Sequence, residues 1–160
     1  MNKTGTYIRM KPDDKMYLIE HIGTFIFFIC SLLFTGHEDK MLRLVALWST
    51  LILFIYLFCR YWYYHTVMWE VTDTQIKSTS GILRRTVNYI ELYRVVDYLE
   101  EQTLLQQIFG IKDIHIISGD RTDPSLRIYG IPNNLDLVKQ IKPLVNKCRK
   151  ENQIYEIANR

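Results

Sequence analysis

The pattern of apolar and polar positions changes once along the chain, near residue 65. Ahead of that point lie two long hydrophobic runs, residues 16–36 and 41–64, whose cores are separated only by residues 35–40. A helix that crosses a bilayer needs about 20 mostly apolar residues. Residues 22–36 are uncharged but only fifteen long, so a span must also draw in residues 16–19, which sets Glu20 and His21 just inside one interface. Residues 44–59 are sixteen uncharged positions bracketed by Arg43 and Arg60, whose charged heads can snorkel to the interface. Arg60 opens a dense cluster, Tyr61-Trp62-Tyr63-Tyr64, of the kind that anchors at headgroup depth. A buried hairpin of a soluble protein needs polar faces. Phe25-Ile26-Phe27-Phe28-Ile29 and Leu51-Ile52-Leu53-Phe54-Ile55 offer none. A cleaved signal peptide fits poorly too, because the first apolar core starts late and a second follows at once.

Beyond residue 65 the period shortens to two. Val67, Trp69 and Val71 alternate with Met68, Glu70 and Thr72, which predicts a strand. Thr72-Asp73-Thr74 is a turn and residues 75–80 a second strand. Ser80-Gly81 turns the chain again, where glycine accepts a positive φ. Residues 86–90, 94–102, 113–118 and 126–129 are further strands, and residues 119–124 form a polar loop. Leu104, Leu105, Ile108 and Phe109 have helical spacing, with Gly110 as a C-cap. After Pro132, Asn133 or Asn134 can cap a helix whose Leu137, Val138, Ile141, Leu144, Val145 and Cys148 form one apolar stripe. Pro143 should kink or split it. The basic residues on its other face read as a solvated surface, and the chain past Glu151 as a loose tail. The fold expected is an α-helical transmembrane hairpin followed by a mainly-β partial barrel capped by a C-terminal amphipathic helix.

Charge fixes an expected orientation. Lys3, Arg9, Lys11 and Lys15 precede the first span. Arg60, Lys77, Arg84 and Arg85 follow the second, whereas Lys40 and Arg43 in the connection are offset by Glu38 and Asp39. Under the positive-inside rule both termini face the cytoplasm. The mean hydropathy of −0.06 averages two unlike halves and has little meaning for either. A net charge of +3, spread along the chain, lacks the dense basic footprint of a nucleic-acid binder. Cys30, Cys59 and Cys148 are scattered and odd in number, which argues against a disulfide framework or a metal site.

Residues that could carry chemistry are sparse. There is no Gly-rich phosphate loop and no HExxH, GxSxG or CxxC. His115 and Ser118 point to opposite faces of one strand. Asp120, Asp123, Glu100 and Glu101 read as solvated acids. Glu20 and His21 read as interfacial anchors rather than an ion path. Arg94 is placed to tie down a loop. No catalytic residue, cofactor or metal is expected. Arg84 and Arg85, beside Gly81 in an exposed hairpin, are the candidate contact pair, either for anionic headgroups or as charge that protects a sheet edge.

Six segments also carry a resemblance. Thr72-Asp73-Thr74-Gln75-Ile76, Gly81-Ile82-Leu83-Arg84-Arg85, Ile90-Glu91-Leu92-Tyr93-Arg94-Val95, Ile108-Phe109-Gly110, Ile114-His115-Ile116 and Ile131-Pro132-Asn133 resemble, in order and spacing, the bacterial pleckstrin-homology-like domain of the membrane-flanked type. The resemblance spans nearly all of the chain after its first 15 residues. It implies a pleckstrin-homology-like barrel tethered at the cytoplasmic membrane, and it supplies no catalytic set. The expected organisation is a cytoplasmic segment at 1–15, the two-helix anchor at 16–64, the barrel with its closing helix at 65–150 and a tail at 151–160. The expected role is a non-enzymatic interaction or scaffolding domain that engages a membrane-protein partner or self-associates into a homo-oligomer. The alternative is an anionic-lipid sensor that uses Arg84 and Arg85. Arg60, Tyr61, Trp62, Tyr63 and Tyr64 are the expected interface anchors.

Overall fold

The computed structural model describes residues 6–120 and 124–152. In chain order these form β1 (Thr6–Met10), α1 (Asp14–Phe34), α2 (Lys40–Thr66), β2 (Met68–Thr72), β3 (Gln75–Ser80) and β4 (Thr86–Glu91). A single 3-10 turn (Leu92–Arg94) leads to β5 (Val95–Glu101), α3 (Leu104–Phe109), β6 (Ile111–Ser118), β7 (Ser125–Pro132) and α4 (Leu137–Glu151). The tail expected beyond Glu151 and part of the 119–124 loop, Asp123 included, lie outside the described residues past Asn152 and at 121–123.

The six strands expected from alternation are present, and a seventh precedes the helices. β1 pairs antiparallel with β2, setting Ile8 opposite Val71, Arg9 opposite Glu70 and Met10 opposite Trp69. The helical hairpin is thus inserted between two adjacent strands of one sheet. The strands form two antiparallel sheets, ordered β1-β2-β3-β4 and β5-β6-β7. In place of the partial barrel expected from the sequence, the strands form two separate sheets that do not close on each other. One buried cluster joins both sheets to α4, with Trp69, Val71, Ile76, Ile90, Ile114 and Ile128 facing Leu137, Ile141 and Val145. The stripe read from the sequence of α4 is the face that is buried.

α4 is capped by Asp136, which accepts from the Lys139 amide at 3.1 Å, rather than by Asn133 or Asn134. Pro143 does not split it. Lys139, whose carbonyl loses its usual partner, and Pro143 are both exposed, so solvent satisfies the freed group. α3 is closed by a full capping box between Thr103 and Gln106, and Gly110 ends it at φ +70°.

α1 and α2 pack side by side. Asp13 and Asp39 cap their first turns, accepting from Lys15 at 3.0 Å and Met41 at 2.9 Å. Polar contacts join the helices at both ends. Ser31 meets the Ala46 carbonyl at 3.1 Å and the Thr50 hydroxyl at 2.8 Å. Tyr17 donates to the Leu57 carbonyl at 2.8 Å. Small hydroxylated residues of this kind let apolar helices approach and bond.

Two buried acids organise the sheets. Glu70 sits between its cross-strand neighbours, 2.6 Å from Arg9 and 3.1 Å from Lys77. The Lys77 hydrogen bond, joined by Arg9 and opposed by burial, holds its carboxyl below the usual carboxylate range. Asp113 takes hydrogen bonds from Gln106 Nε2 at 2.9 Å, the Gly130 amide at 2.9 Å and the Arg127 guanidinium at 2.6 Å.

Two outcomes follow from these acids. Asp113→Ala leaves two buried donors, on Gln106 and Gly130, without an acceptor. At about 1–3 kcal/mol each this lowers stability by about 3 kcal/mol, read as the unfolding midpoint of the full chain in detergent micelles. Glu70 has a lowered folded pKa, so its pairing contributes fully above the unfolded value of about 4.3 and is lost as pH falls through the folded value. The melting temperature should therefore drop on acidification below about pH 4, and Glu70→Gln should show a smaller acid loss.

Candidate functional site

Strand direction brings several loops to one end of the molecule. β1 ends and β2 begins where α1 starts and α2 finishes. β3, antiparallel to β2, ends there too, with Thr79 opposite Met68. The 81–85 loop between β3 and β4 therefore lies beside the last turn of α2, where the Gly81 amide donates to Thr66 Oγ1 at 3.1 Å. Gly81 has φ +113°, and a Cβ there would lie 1.9 Å from the Arg84 carbonyl oxygen, so the tight turn requires glycine. Leu83 at its tip is fully exposed, and Arg84 and Arg85 are exposed. Neither arginine has a hydrogen bond or ion pair among the described residues.

The second sheet reaches the same end. The Asp13 amide donates to the Gly130 carbonyl at 2.8 Å, and the Tyr64 hydroxyl donates to the Asp13 carbonyl at 3.0 Å. Gly130 has φ +65°, and a Cβ there would meet Met16 Cβ at 2.7 Å. Met16, Tyr17, Tyr64 and Ile111 make a separate small core at this junction. Tyr129 joins it to the main core by edge contact with Trp69 at 4.9 Å between ring centroids. Burial, reinforced by Tyr63 and Glu20 nearby, pushes the Tyr129 phenol up to about 12.

The structure divides the aromatic cluster that ends the second apolar run. Tyr64 is buried in the junction and Tyr63 packs against the main core, whereas Tyr61 and Trp62 are exposed on the outside of α2. α2 continues through all four residues to Thr66 and passes into β2 with only Val67 between, so no flexible linker occupies 61–65. Arg60 lies over the Tyr63 ring at 5.6 Å, with its Nε 3.4 Å from His21 Nε2 and a terminal nitrogen 4.0 Å from Glu20. Glu20, His21 and Arg60 thus form one polar group across the two helices. With Arg127 and Tyr129, Glu20 and Arg60 line a cleft of about 80 Å³. Arg127 and Asp113 have no motif to mark them, and only the pairing of β6 with β7 brings them together.

Elsewhere several of the polar residues are paired with one another. Arg94 binds Glu91 at 2.9 Å and Asp120 at 3.1 Å, tying the 119–120 turn to the 3-10 turn. Glu100 pairs with Lys112 at 2.9 Å and Glu101 with His115 at 3.5 Å. Ser118 accepts from the Asp120 amide at 3.1 Å, away from His115. Burial pushes the Tyr98 phenol up to about 12 and raises the Cys148 thiol. Both stay protonated near neutrality, the form that is a poor nucleophile. Among the described residues no three His, Cys, Asp or Glu side chains gather as a metal site.

No curated protein and no solved structure matches this chain. A family model described as the bacterial PH domain matches residues 21–145. That match covers most of the chain, including the greater part of the hairpin, six strands and most of α4. The chain belongs to the bacterial PH domain family.

Proposed function

We propose that this protein is a membrane-anchored, non-enzymatic interaction module of the cytoplasmic membrane, with α1 and α2 spanning the bilayer and the two sheets held at its cytoplasmic face. PH domains are generally non-catalytic modules that bind lipids or proteins. The observation that carries the reading is the pairing of β1 with β2 across the hairpin, which requires both ends of the hairpin to lie on one side of a membrane. The helices have 21 and 27 residues, or about 31 and 40 Å, against a hydrocarbon layer of about 30 Å. Only 17% and 11% of their apolar stretches is buried, whereas the core helix of a soluble protein would be mostly covered. Lysine and arginine flanks favour the cytoplasm for both ends. Arg60, Tyr61 and Trp62 then fall at headgroup level, while Tyr63 and Tyr64 fix the domain to the anchor.

A domain with no linker to its anchor meets only what approaches in the plane of the membrane. Its partner is accordingly a membrane neighbour or a second copy, for which confinement raises effective concentration. Two results together test this. A membrane-impermeant label should reach residues near the N-terminus and the 119–124 loop only from the cytoplasmic side, and crosslinking in native membranes should capture a dimer or a defined partner. Labelling of the two sites from opposite sides, or monomer alone with nothing co-purified, would count against it.

The second reading is contact with anionic headgroups through Arg84 and Arg85, supported by the bonding of their loop to the last turn of α2. Each basic side chain near such a surface contributes about 1 kcal/mol. Arg84→Glu with Arg85→Glu should lower the anionic-to-zwitterionic ratio of lipid retained by the purified full chain about 30-fold. An unchanged ratio would remove this reading. The full chain is needed because a fragment that starts at residue 65 lacks β1.

A further inference from the structure

The short helix α3 buries one glutamine, Gln106, and leaves its four apolar residues exposed together with Gln107. In a water-facing helix the leucines would turn inward and the glutamines outward. Here Gln106 is buried, holding Asp113 at 2.9 Å and touching Met16 Sδ at 3.3 Å. Leu104 and Ile108 are 78% and 77% exposed, with Leu105 and Phe109 partly so. The capping box and the left-handed Gly110 fix the ends of the helix, and the Gln106–Asp113 bond fixes its rotation. The outward apolar face is therefore built in.

Its position relates it to the anchor. Lys15 Nζ donates to the Phe109 carbonyl at 3.3 Å and Gln106 touches Met16, so α3 lies against the first turn of α1. Below Lys15 on the same face of α1, at helical spacing, follow Ile19, Ile22 and Ile26. Ile22 and Ile26 are exposed to what the anchor reading takes as lipid. Ile22 lies seven positions after Lys15, a height of about 10 Å. Interfacial helices bury their apolar face about 5–10 Å into the headgroup and acyl boundary. On the spanning reading α3 thus stands at headgroup level, about 10 Å above Ile22 on the lipid-facing side of α1.

We propose that α3 is an interfacial membrane-contact element that seats Leu104, Leu105, Ile108 and Phe109 in the headgroup layer beside the anchor. This rests on the spanning reading of α1 and α2, and it adds a contact that depends on apolar insertion rather than on Arg84 and Arg85. The occupant of this face is the bilayer, because α3 is held against the first turn of α1, at the level where that helix enters its apolar stretch.

The test uses the full chain in vesicles, with Cys30→Ala and Cys59→Ala and the buried Cys148 left in place. An environment-sensitive fluorophore is attached in turn at Ile108→Cys, at Ile29→Cys in the anchor, and at Val96→Cys, exposed at the far end of β5. Nitroxide lipids carrying the quencher at shallow or deep positions are then compared. Shallow quenchers should quench the Ile108 site at least threefold more than the Val96 site, equally at all protein-to-lipid ratios, and deep quenchers should quench the Ile29 site. Quenching at Ile29 with no difference between Ile108 and Val96 would overturn the α3 proposal and leave the anchor standing. Shielding of the Ile108 site that grows with protein density would assign the face to a second copy and overturn it as well. No quenching at Ile29 would remove the anchor reading and α3's role with it.

Discussion

The arrangement depends on one backbone pairing, that of Thr6–Met10 with Met68–Thr72. Neighbouring strands lie about 4.8 Å apart, so this ladder draws the start of α1 and the end of α2 into contact. Met16, Tyr17 and Tyr64 meet because the ladder leaves them nowhere else to be. The same ladder gives Glu70 a cation on each side, Arg9 from β1 and Lys77 from β3. It also moves the exposed edge of the sheet from β2 to β1, which is short and closed off by Pro12, as protected edges commonly are.

Buried polar groups then orient what the apolar core alone would leave loose. Dispersion and burial hold two sheets and α4 together without specifying how α3 is turned. The carboxylate of Asp113 decides this, because Gln106 must face inward to reach it. The cost is an apolar surface turned outward, tolerable where that surface adjoins another apolar surface and unfavourable in open water. A single hydrogen bond to a carboxylate thereby fixes the direction of four hydrophobic side chains.

Much of this was legible in the sequence. The alternation at Val67–Trp69–Val71, the Gly81 turn and the stripe from Leu137 to Cys148 each report a local period imposed by a buried face, and each element stands where its period placed it. β1 was not legible, because five residues give little alternation and Arg9 reads as flanking charge. Its β-favouring Tyr7-Ile8 ahead of Pro12 was the available signal. The separation of the sheets was hidden as well, since the 3-10 turn at Leu92–Arg94 looks like the start of a strand. Helical spacing at Leu104, Leu105, Ile108 and Phe109 identified α3 but not its outward face, because periodicity marks an apolar side without saying what it meets. The division of Tyr61 to Tyr64 likewise followed from contacts with Gly130 and Tyr129 that only the tertiary fold creates.

The insertion of the hairpin between paired strands also governs how the chain is made. β1 leaves the ribosome first, and β2 begins 58 residues after β1 ends, which at about 5–20 residues per second is a delay of roughly 3–12 s. Throughout that interval the first strand has no partner, and both helices must be placed before one appears. On the spanning reading, a hairpin inserted with only one crossing would leave the two strands in different compartments and the sheet one strand short. On that same reading the sheet is completed only after both crossings have been made, an order set by the order in which the strands are synthesised.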